Sequence, residues 1–211
     1  MLDAYGIKVV PTRIAETAEQ AADVAEEMGF PVCIKLLSKT ITHKTEVGGV
    51  ALDLRTRGEV EQSFARIRHR LENEGRGLEM RGVIVQKMIR GGLEVIVGVT
   101  QDPSFGPLIL FGYGGIYTEL YKDVAFRIHP LTDLDAKEMM RSVKAYQLLE
   151  GWRGAKRADI ESIEELLMRI SAMVEDIPQI VELDLNPVKV KVEGKGYAAV
   201  DARIMLSEPL L

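Results

Sequence analysis

Lys35, His43 and the pair Gly48-Gly49 are the residues whose types and spacing point most directly to phosphate chemistry. Val32-Cys33-Ile34-Lys35-Leu36-Leu37 reads as a buried strand. An ammonium inside such a strand must find an anion or lose its proton, because an unpaired buried charge is very costly. A nucleotide phosphate would supply that anion. Downstream, the run His43-Lys44-Thr45-Glu46-Val47-Gly48-Gly49-Val50 ends in a glycine turn. Such a turn lets the backbone approach a ligand closely and aim consecutive N–H groups at it. His43 lies between the two devices and can be a phosphoryl acceptor, a general base or a polar residue of an exposed loop. A second constellation is Glu182-Leu183-Asp184-Leu185-Asn186-Pro187. Strict alternation puts Glu182, Asp184 and Asn186 on one strand face and the leucines on the other. A two-residue turn at Glu193-Gly194 would set Asn186 opposite Asp201, unless a bulge shifts the pairing by one residue. One carboxylate and one amide beside a nucleotide suit magnesium, which keeps waters and takes phosphate oxygens as further ligands. The alternative is a solvent-facing acidic strand. Gly112-Tyr113-Gly114-Gly115-Ile116-Tyr117-Thr118-Glu119, after the apolar Leu108 to Phe111, is either a second phosphate cradle or a flexible turn.

The elements that must position these residues are of mixed α/β type. Thr17 with Gln20 starts a helix that carries Ala18, Ala21, Ala22, Ala25 and Met28 and stops at Gly29. Strands follow at 31–37 and 50–55, then a helix with Val60, Phe64, Ile67 and Leu71 on one face, then a strand from Gly82 to Ile89. Residues 15–85 thus form a small α/β lobe. Arg90-Gly91-Gly92 is expected to turn the chain into Leu93 to Thr100, pairing two antiparallel strands. Leu108 to Phe111 and Val124 to Ile128 add strands, Thr132 with Asp135 and Asp159 with Ser162 start helices, and residues 180–204 close the larger lobe as a hairpin. Residues 1–211 read as one domain of two lobes, with a cleft between them as the natural ligand site.

Of the 211 residues, 46% are hydrophobic and 28% charged, enough for real cores. A net charge of -5 argues against non-specific nucleic-acid binding, and Arg66-Ile67-Arg68-His69-Arg70 reads as a solvated helix face. No run approaches the length of a bilayer span and the first residues lack the pattern of a signal peptide, so a cytoplasmic protein with no membrane partner is expected. The single cysteine, Cys33, lies in an apolar strand and reads as packing. His69 and His129 have no supporting constellation and read as structural.

Taken in order, Pro31-Val32-Cys33-Ile34-Lys35, His43 to Val50, Phe105-Gly106-Pro107, Gly112 to Ile116, Glu182 to Pro187 and Val200-Asp201-Ala202-Arg203-Ile204 resemble the ATP-grasp subunit or domain of ADP-forming acyl-CoA synthetases, a succinyl-CoA-synthetase-like family. The resemblance covers nearly the whole chain. It implies an ATP-grasp fold with ATP or ADP in the cleft and Mg2+ on Asn186 and Asp201. It implies nucleotide contacts from Lys35, Gly48, Gly49, the strand Gln86, Lys87 and Met88 along the adenine, and Glu94, Gly114 and Gly115. His43 matches the histidine that carries a phosphoryl group in this family, with Asp184 or Glu182 steadying it. The implied net reaction is acyl-CoA plus ADP and phosphate giving acid, CoA and ATP. The family's CoA-binding module, with its own histidine, has no counterpart here, since no strand, Gly-x-Gly-x-x-Gly turn and helix occur in succession. The resemblance also implies that the family usually has a further helical segment before Tyr5-Gly6-Ile7, almost the point at which the sequence begins. The chain is therefore expected to act in a heteromer with a CoA-binding alpha subunit or domain. Two other readings are an ATP-grasp regulatory module of a protein acyltransferase and a carboxylate ligase that forms an acyl-phosphate without a phosphohistidine; His43 discriminates against the last.

Overall fold

The computed structural model describes residues 1–41, 44–114 and 123–207. The chain forms two compact units, one of Val10–Ile89 and one of Met1–Val9 with Arg90–Leu211.

In the first unit, β1 (Thr12–Ala15), β2 (Val32–Leu37), β3 (Val50–Leu54) and β4 (Gly82–Lys87) make an antiparallel sheet in the order β1-β4-β2-β3. Helices α1 (Ala18–Met28) and α2 (Arg57–Asn73) cover one face. Each starts where its cap residue accepts a backbone N–H, Thr17 from Gln20 and Thr56 from Glu59, both at 3.2 Å. Val32, Ile34, Leu36, Val83 and Val85 bury against Ala25, Phe64 and Ile67. The basic run of α2 is exposed except for Ile67, as helical periodicity dictates. Alternation sends Cys33 and Lys35 of β2, Ile84 and Gln86 of β4 and Ile14 of β1 to the face the helices leave open. Lys35 is accordingly half-buried, which corrects the expectation of a lysine enclosed on both sides.

In the second unit, β5 (Leu93–Asp102), β6 (Gly106–Tyr113), β7 (Val124–Ile128), β8 (Ile180–Val190), β9 (Tyr197–Ala199) and β10 (Ala202–Leu206) make a six-stranded sheet in the order β10-β8-β5-β6-β7, with β9 also on β8. Every pairing is antiparallel. Helices α3 (Asp133–Ser142), α4 (Tyr146–Leu149) and α5 (Ile160–Asp176) complete this unit. Met139 and Met140 of α3 and Ile163, Leu167 and Ile170 of α5 share a core with Val97, Phe111 and Leu185. A full capping box at Thr132 and Asp135 starts α3.

The glycine stretch after β4 does not close a hairpin. Gly91 and Gly92, both at positive φ, lead from the first sheet into the second, where β5 pairs with β6 and β8. The physical reason is burial: Val95, Val97 and Val99 lie in register with Val188, Leu185 and Leu183 and form one core with them.

The C-terminal hairpin turns at Glu193-Gly194, where the Lys195 N–H donates to the Val192 carbonyl at 3.0 Å and Gly194 takes φ 72°. From that turn the pairs run Val190 with Tyr197, Lys189 with Ala198, Val188 with Ala199, and on to Leu185 with Ala202 and Asp184 with Arg203. The Asn186 N–H donates to the Asp201 carbonyl at 3.2 Å, so those two residues stand opposite each other.

Asp159 ties the hairpin to the helical layer. It is buried, caps α5 by accepting the Ser162 N–H at 3.2 Å, and accepts the Gly196 N–H at 2.7 Å. Removing it strands a helix donor and a loop donor together. Asp159→Ala is expected to lower stability by about 2 to 3 kcal/mol in denaturant unfolding, with Asp159→Asn losing about half as much.

Candidate functional site

The chemistry-bearing residues of the larger unit lie on the sheet face opposite its helices. Leu183 and Leu185 are buried in the core, which forces Glu182, Asp184 and Asn186 onto the other face. Register then aligns them with their neighbours. Arg203, Asp184, Gly98 and Leu110 form one row across β10, β8, β5 and β6, and Met205, Glu182, Thr100 and Leu108 form the next. Gly98 leaves the position beside Asp184 without a side chain, and a Cβ there would come within 2.9 Å of the Leu183 carbonyl oxygen. The β5–β8 pairing shifts between Val95 and Val97, beside the cis Asn186-Pro187 peptide. The shift returns Lys189 to the open face, where its Nζ meets Glu94 Oε1 at 2.7 Å.

Charge is concentrated here. Partial desolvation first, then the carboxylates of Glu182 and Asp201, push the Asp184 carboxyl above its usual value, while Arg203 pulls it back. Arg203 Nη1 is 4.0 Å from Glu182 Oε1, the outer limit of an ion pair, and its side chain is largely exposed. Among the described residues no three His, Cys, Asp or Glu side chains converge as a ready metal cage. Two facing oxygen donors, Asn186 and Asp201, fit a hard cation that completes its shell with water and substrate phosphate.

In the smaller unit, Lys35 sits between Val50 and Ile84, and Gln86 sits between Cys33 and Thr12. Gln86 is buried and its Oε1 lies 3.8 Å from Cys33 Sγ. Lys87, one residue on, points the other way. Its ammonium donates to the carbonyls of Met28 (3.3 Å), Gly29 and Phe30 (3.2 Å) at the C-terminal end of α1. Its side chain is thus occupied at the helix end, while its main chain stays in the strand expected to run along the adenine. The Met88 N–H donates to the Pro31 carbonyl at 3.1 Å.

The Gly48-Gly49 turn also differs from expectation. The Gly48 N–H donates to the Thr45 carbonyl at 3.0 Å and the Gly49 N–H to the Lys44 carbonyl at 2.7 Å, so the turn consumes both donors rather than presenting them. Glycine is required at 49 for packing: a Cβ would lie 2.9 Å from both Leu36 Cβ and the Lys44 carbonyl oxygen. The loop before it is fixed at its start, where Glu79 accepts from the Thr40 hydroxyl and pairs with Arg76 at 2.8 Å. Arg76 and then Thr40 hold the Glu79 carboxyl down to about 2. His43 and Gly115 lie outside the described residues. Gly114 is buried and its N–H donates to the Glu94 carbonyl at 2.7 Å. A Cβ on Gly114 would come within 2.9 Å of the Glu94 carbonyl carbon, so glycine permits the close approach. His69 contacts Asn73 at 3.2 Å and His129 contacts the Ser171 carbonyl at 3.1 Å, both consistent with structural roles.

Sequence reasoning did not assign Arg203, Lys189 or Gly98 to the acidic face. Counting outward from the Glu193-Gly194 turn would have placed Arg203 opposite Asp184; Lys189 could not be found that way, because the bulge reverses its side.

Comparison with known proteins agrees with this architecture. Residues 1–206 match the ATP-grasp domain family. The chain is 48% identical over 208 residues to acetate–CoA ligase [ADP-forming] I of Archaeoglobus fulgidus, covering 99% of this chain and 30% of that protein. It is 42% identical to the acetate–CoA ligase [ADP-forming] II subunit beta of Pyrococcus furiosus, covering 98% and 88% respectively. The dinucleotide forming acetyl-coenzyme A synthetase 1 of Ca. Korarchaeum cryptofilum, solved with coenzyme A, Ca-AMPCP and HgCl+, superposes with TM-score 0.91 at 41% identity, covering 98% of this chain and 89% of that one. The chain belongs to the ATP-grasp family, in the group formed by the beta subunits and equivalent domains of ADP-forming acyl-CoA ligases. It spans under a third of the single-chain Archaeoglobus ligase. Among the described residues no helix is long and apolar enough to cross a membrane.

The raised Asp184 pKa means the native state binds that proton more tightly than the unfolded chain does. The cost of ionising it is absent below the ordinary aspartate value of 3.8 and fully present above the raised one. Without added metal, Asp184→Asn is therefore expected to melt above wild type at pH 7 and to lose that advantage as the pH falls toward 3.8, which a pH series of thermal melts will read.

Proposed function

We propose that this chain is the nucleotide-binding catalytic part of an ADP-forming acyl-CoA synthetase and moves a phosphoryl group between His43 and ADP. The observation that carries the reading is the hairpin register. It sets Asn186 against Asp201 and lines Asp184 and Glu182 along the same face. In support, a Korarchaeum relative with TM-score 0.83 and 39% identity is described with coenzyme A and Mg-AMPPCP and with a phosphohistidine segment pointing towards its nucleotide binding site.

In the direction of phosphohistidine formation, a ring nitrogen of His43 attacks the terminal phosphorus of ATP. The bond to the bridging oxygen breaks and ADP leaves with the electron pair. Reversal gives ATP. Glu182 or Asp184 is assigned to steady the histidine, the role of such a carboxylate being to hold the tautomer that leaves a lone pair for attack. Asn186 and Asp201 would hold a magnesium ion, whose contribution when bound is to neutralise phosphate charge. Lys35, Gly48, Gly49, Gln86, the main chain of Lys87, Met88, Glu94, Gly114 and Gly115 are assigned to the nucleotide. A relay divides one long transfer into short in-line steps, each needing little beyond positioning and charge stabilisation. The remaining steps, from acyl-CoA and phosphate to phosphohistidine, belong to a CoA-binding alpha subunit or domain with its own histidine. The setting is the cytoplasm.

Incubation with magnesium and ATP, followed by intact-mass and peptide mapping under conditions that preserve acid-labile phosphate, is expected to show one phosphoryl group on His43. If labelling needs the CoA-binding partner, it should appear on adding it. His43→Ala is expected to abolish labelling with nucleotide affinity within about twofold of wild type, since a carrier is not a clamp. Labelling that persists in His43→Ala refutes the assignment. Lys35→Ala is expected to weaken ATP binding by about tenfold or more, the loss of one charge-assisted phosphate contact.

A further inference from the structure

We propose that Arg203 binds the terminal phosphoryl group, the one that moves, and stabilises its charge during transfer; this rests on the function proposed above. The acidic face carries Glu182, Asp184 and Asp201 together, an arrangement that repels a polyphosphate. Asn186 and Asp201 together add only one negative charge to a divalent ion. Further positive charge is needed where the phosphoryl group meets the histidine.

Among the described residues that face bears two cations. Lys189 is committed to Glu94 at 2.7 Å and its side chain is only 20% exposed. Arg203 reaches Glu182 only at 4.0 Å and its side chain is 57% exposed. A guanidinium held at that distance can turn to an incoming anion without giving up a tight ion pair. Its place in the register is specific. It lies two residues, about 7 Å, along β10 from Asp201 on the same face. It stands opposite Asp184, one of the two carboxylates assigned to steady His43. It is thus a neighbour both of a residue assigned to the cation and of one assigned to the carrier. Gly98 extends the same row beyond Asp184, where the close approach of the Leu183 carbonyl leaves no place for a side chain that would compete with Asp184 and Arg203. The planar fork of arginine matches two phosphoryl oxygens at once, which a lysine cannot do.

The test is equilibrium binding of Mg·ADP and of Mg·AMPPCP to the intact chain and to Arg203→Ala and Arg203→Lys, with phosphohistidine formation measured alongside. Arg203→Ala is expected to weaken Mg·AMPPCP binding about tenfold, or ~1.4 kcal/mol, while Mg·ADP stays within about twofold. His43 labelling is expected to slow by about a hundredfold or more, with Arg203→Lys intermediate. Equal weakening for both nucleotides would overturn the proposal, since it would mean that Arg203 only balances the charge of the acidic face. Unchanged binding and labelling would overturn it too while leaving the proposed function intact. If wild type bound neither nucleotide, the underlying function itself would fail.

Discussion

The larger unit depends on the register of one hairpin. A tight turn at Glu193-Gly194 fixes which residue faces which along β8 against β9 and β10 as far as the Glu182–Met205 pair. Because side chains alternate with period two, a slip of one residue would send Leu183 and Leu185 to solvent and the carboxylates into the core. Core burial and site geometry therefore enforce the same register. The Asp159 carboxylate reinforces it from outside the sheet, holding the loop at Gly196 to the start of α5. A residue with no chemical role thereby helps to set the distance between donors that have one.

The same face shows a tension between stability and chemistry. Glu182, Asp184 and Asp201 repel one another, and the raised proton affinity of Asp184 reflects partial desolvation first and that repulsion second. Without function, a neutral side chain would serve better at this position. Clustered like charge is tolerated where a cation is to be received, and the two opposing charges are not equivalent. Lys189 neutralises Glu94 closely, whereas Arg203 remains at arm's length from Glu182. Tight neutralisation suits a fixed wall; loose neutralisation suits a group whose partner arrives with the substrate.

Local signals in the sequence were reliable where a single element decides the outcome. The caps at Thr17, Thr132 and Asp159, the alternation from Glu182 to Asn186 and the turn at Glu193-Gly194 all depend on a few adjacent residues. Errors arose where distant groups compete. Gly91-Gly92 has the composition of a hairpin turn, but β5 finds deeper burial with β8, nearly ninety residues later in the chain. The role of the Lys87 side chain was not legible either, because it depends on the carbonyls that end α1, nearly sixty residues earlier in the chain. The Gly48-Gly49 donors are consumed by carbonyls only three and five residues back, a turn geometry that glycine composition does not reveal. Strand β1 escaped notice because three of its four residues are exposed and give no burial pattern.

One constraint explains why the site residues emerge where they do in both units. Each sheet packs its helices on one face, and that face is filled by branched aliphatic side chains at alternate positions. Chemistry can occupy only the remaining alternate positions. In β2 and β4 these are Cys33, Lys35, Ile84 and Gln86; in β8 they are Glu182, Asp184 and Asn186. A polar residue in an otherwise apolar strand is thus informative chiefly through its parity. Lys35 and Lys87 are both lysines in apolar strands. Parity alone sends one to the open face and the other to the end of a helix, where it acts as a cap.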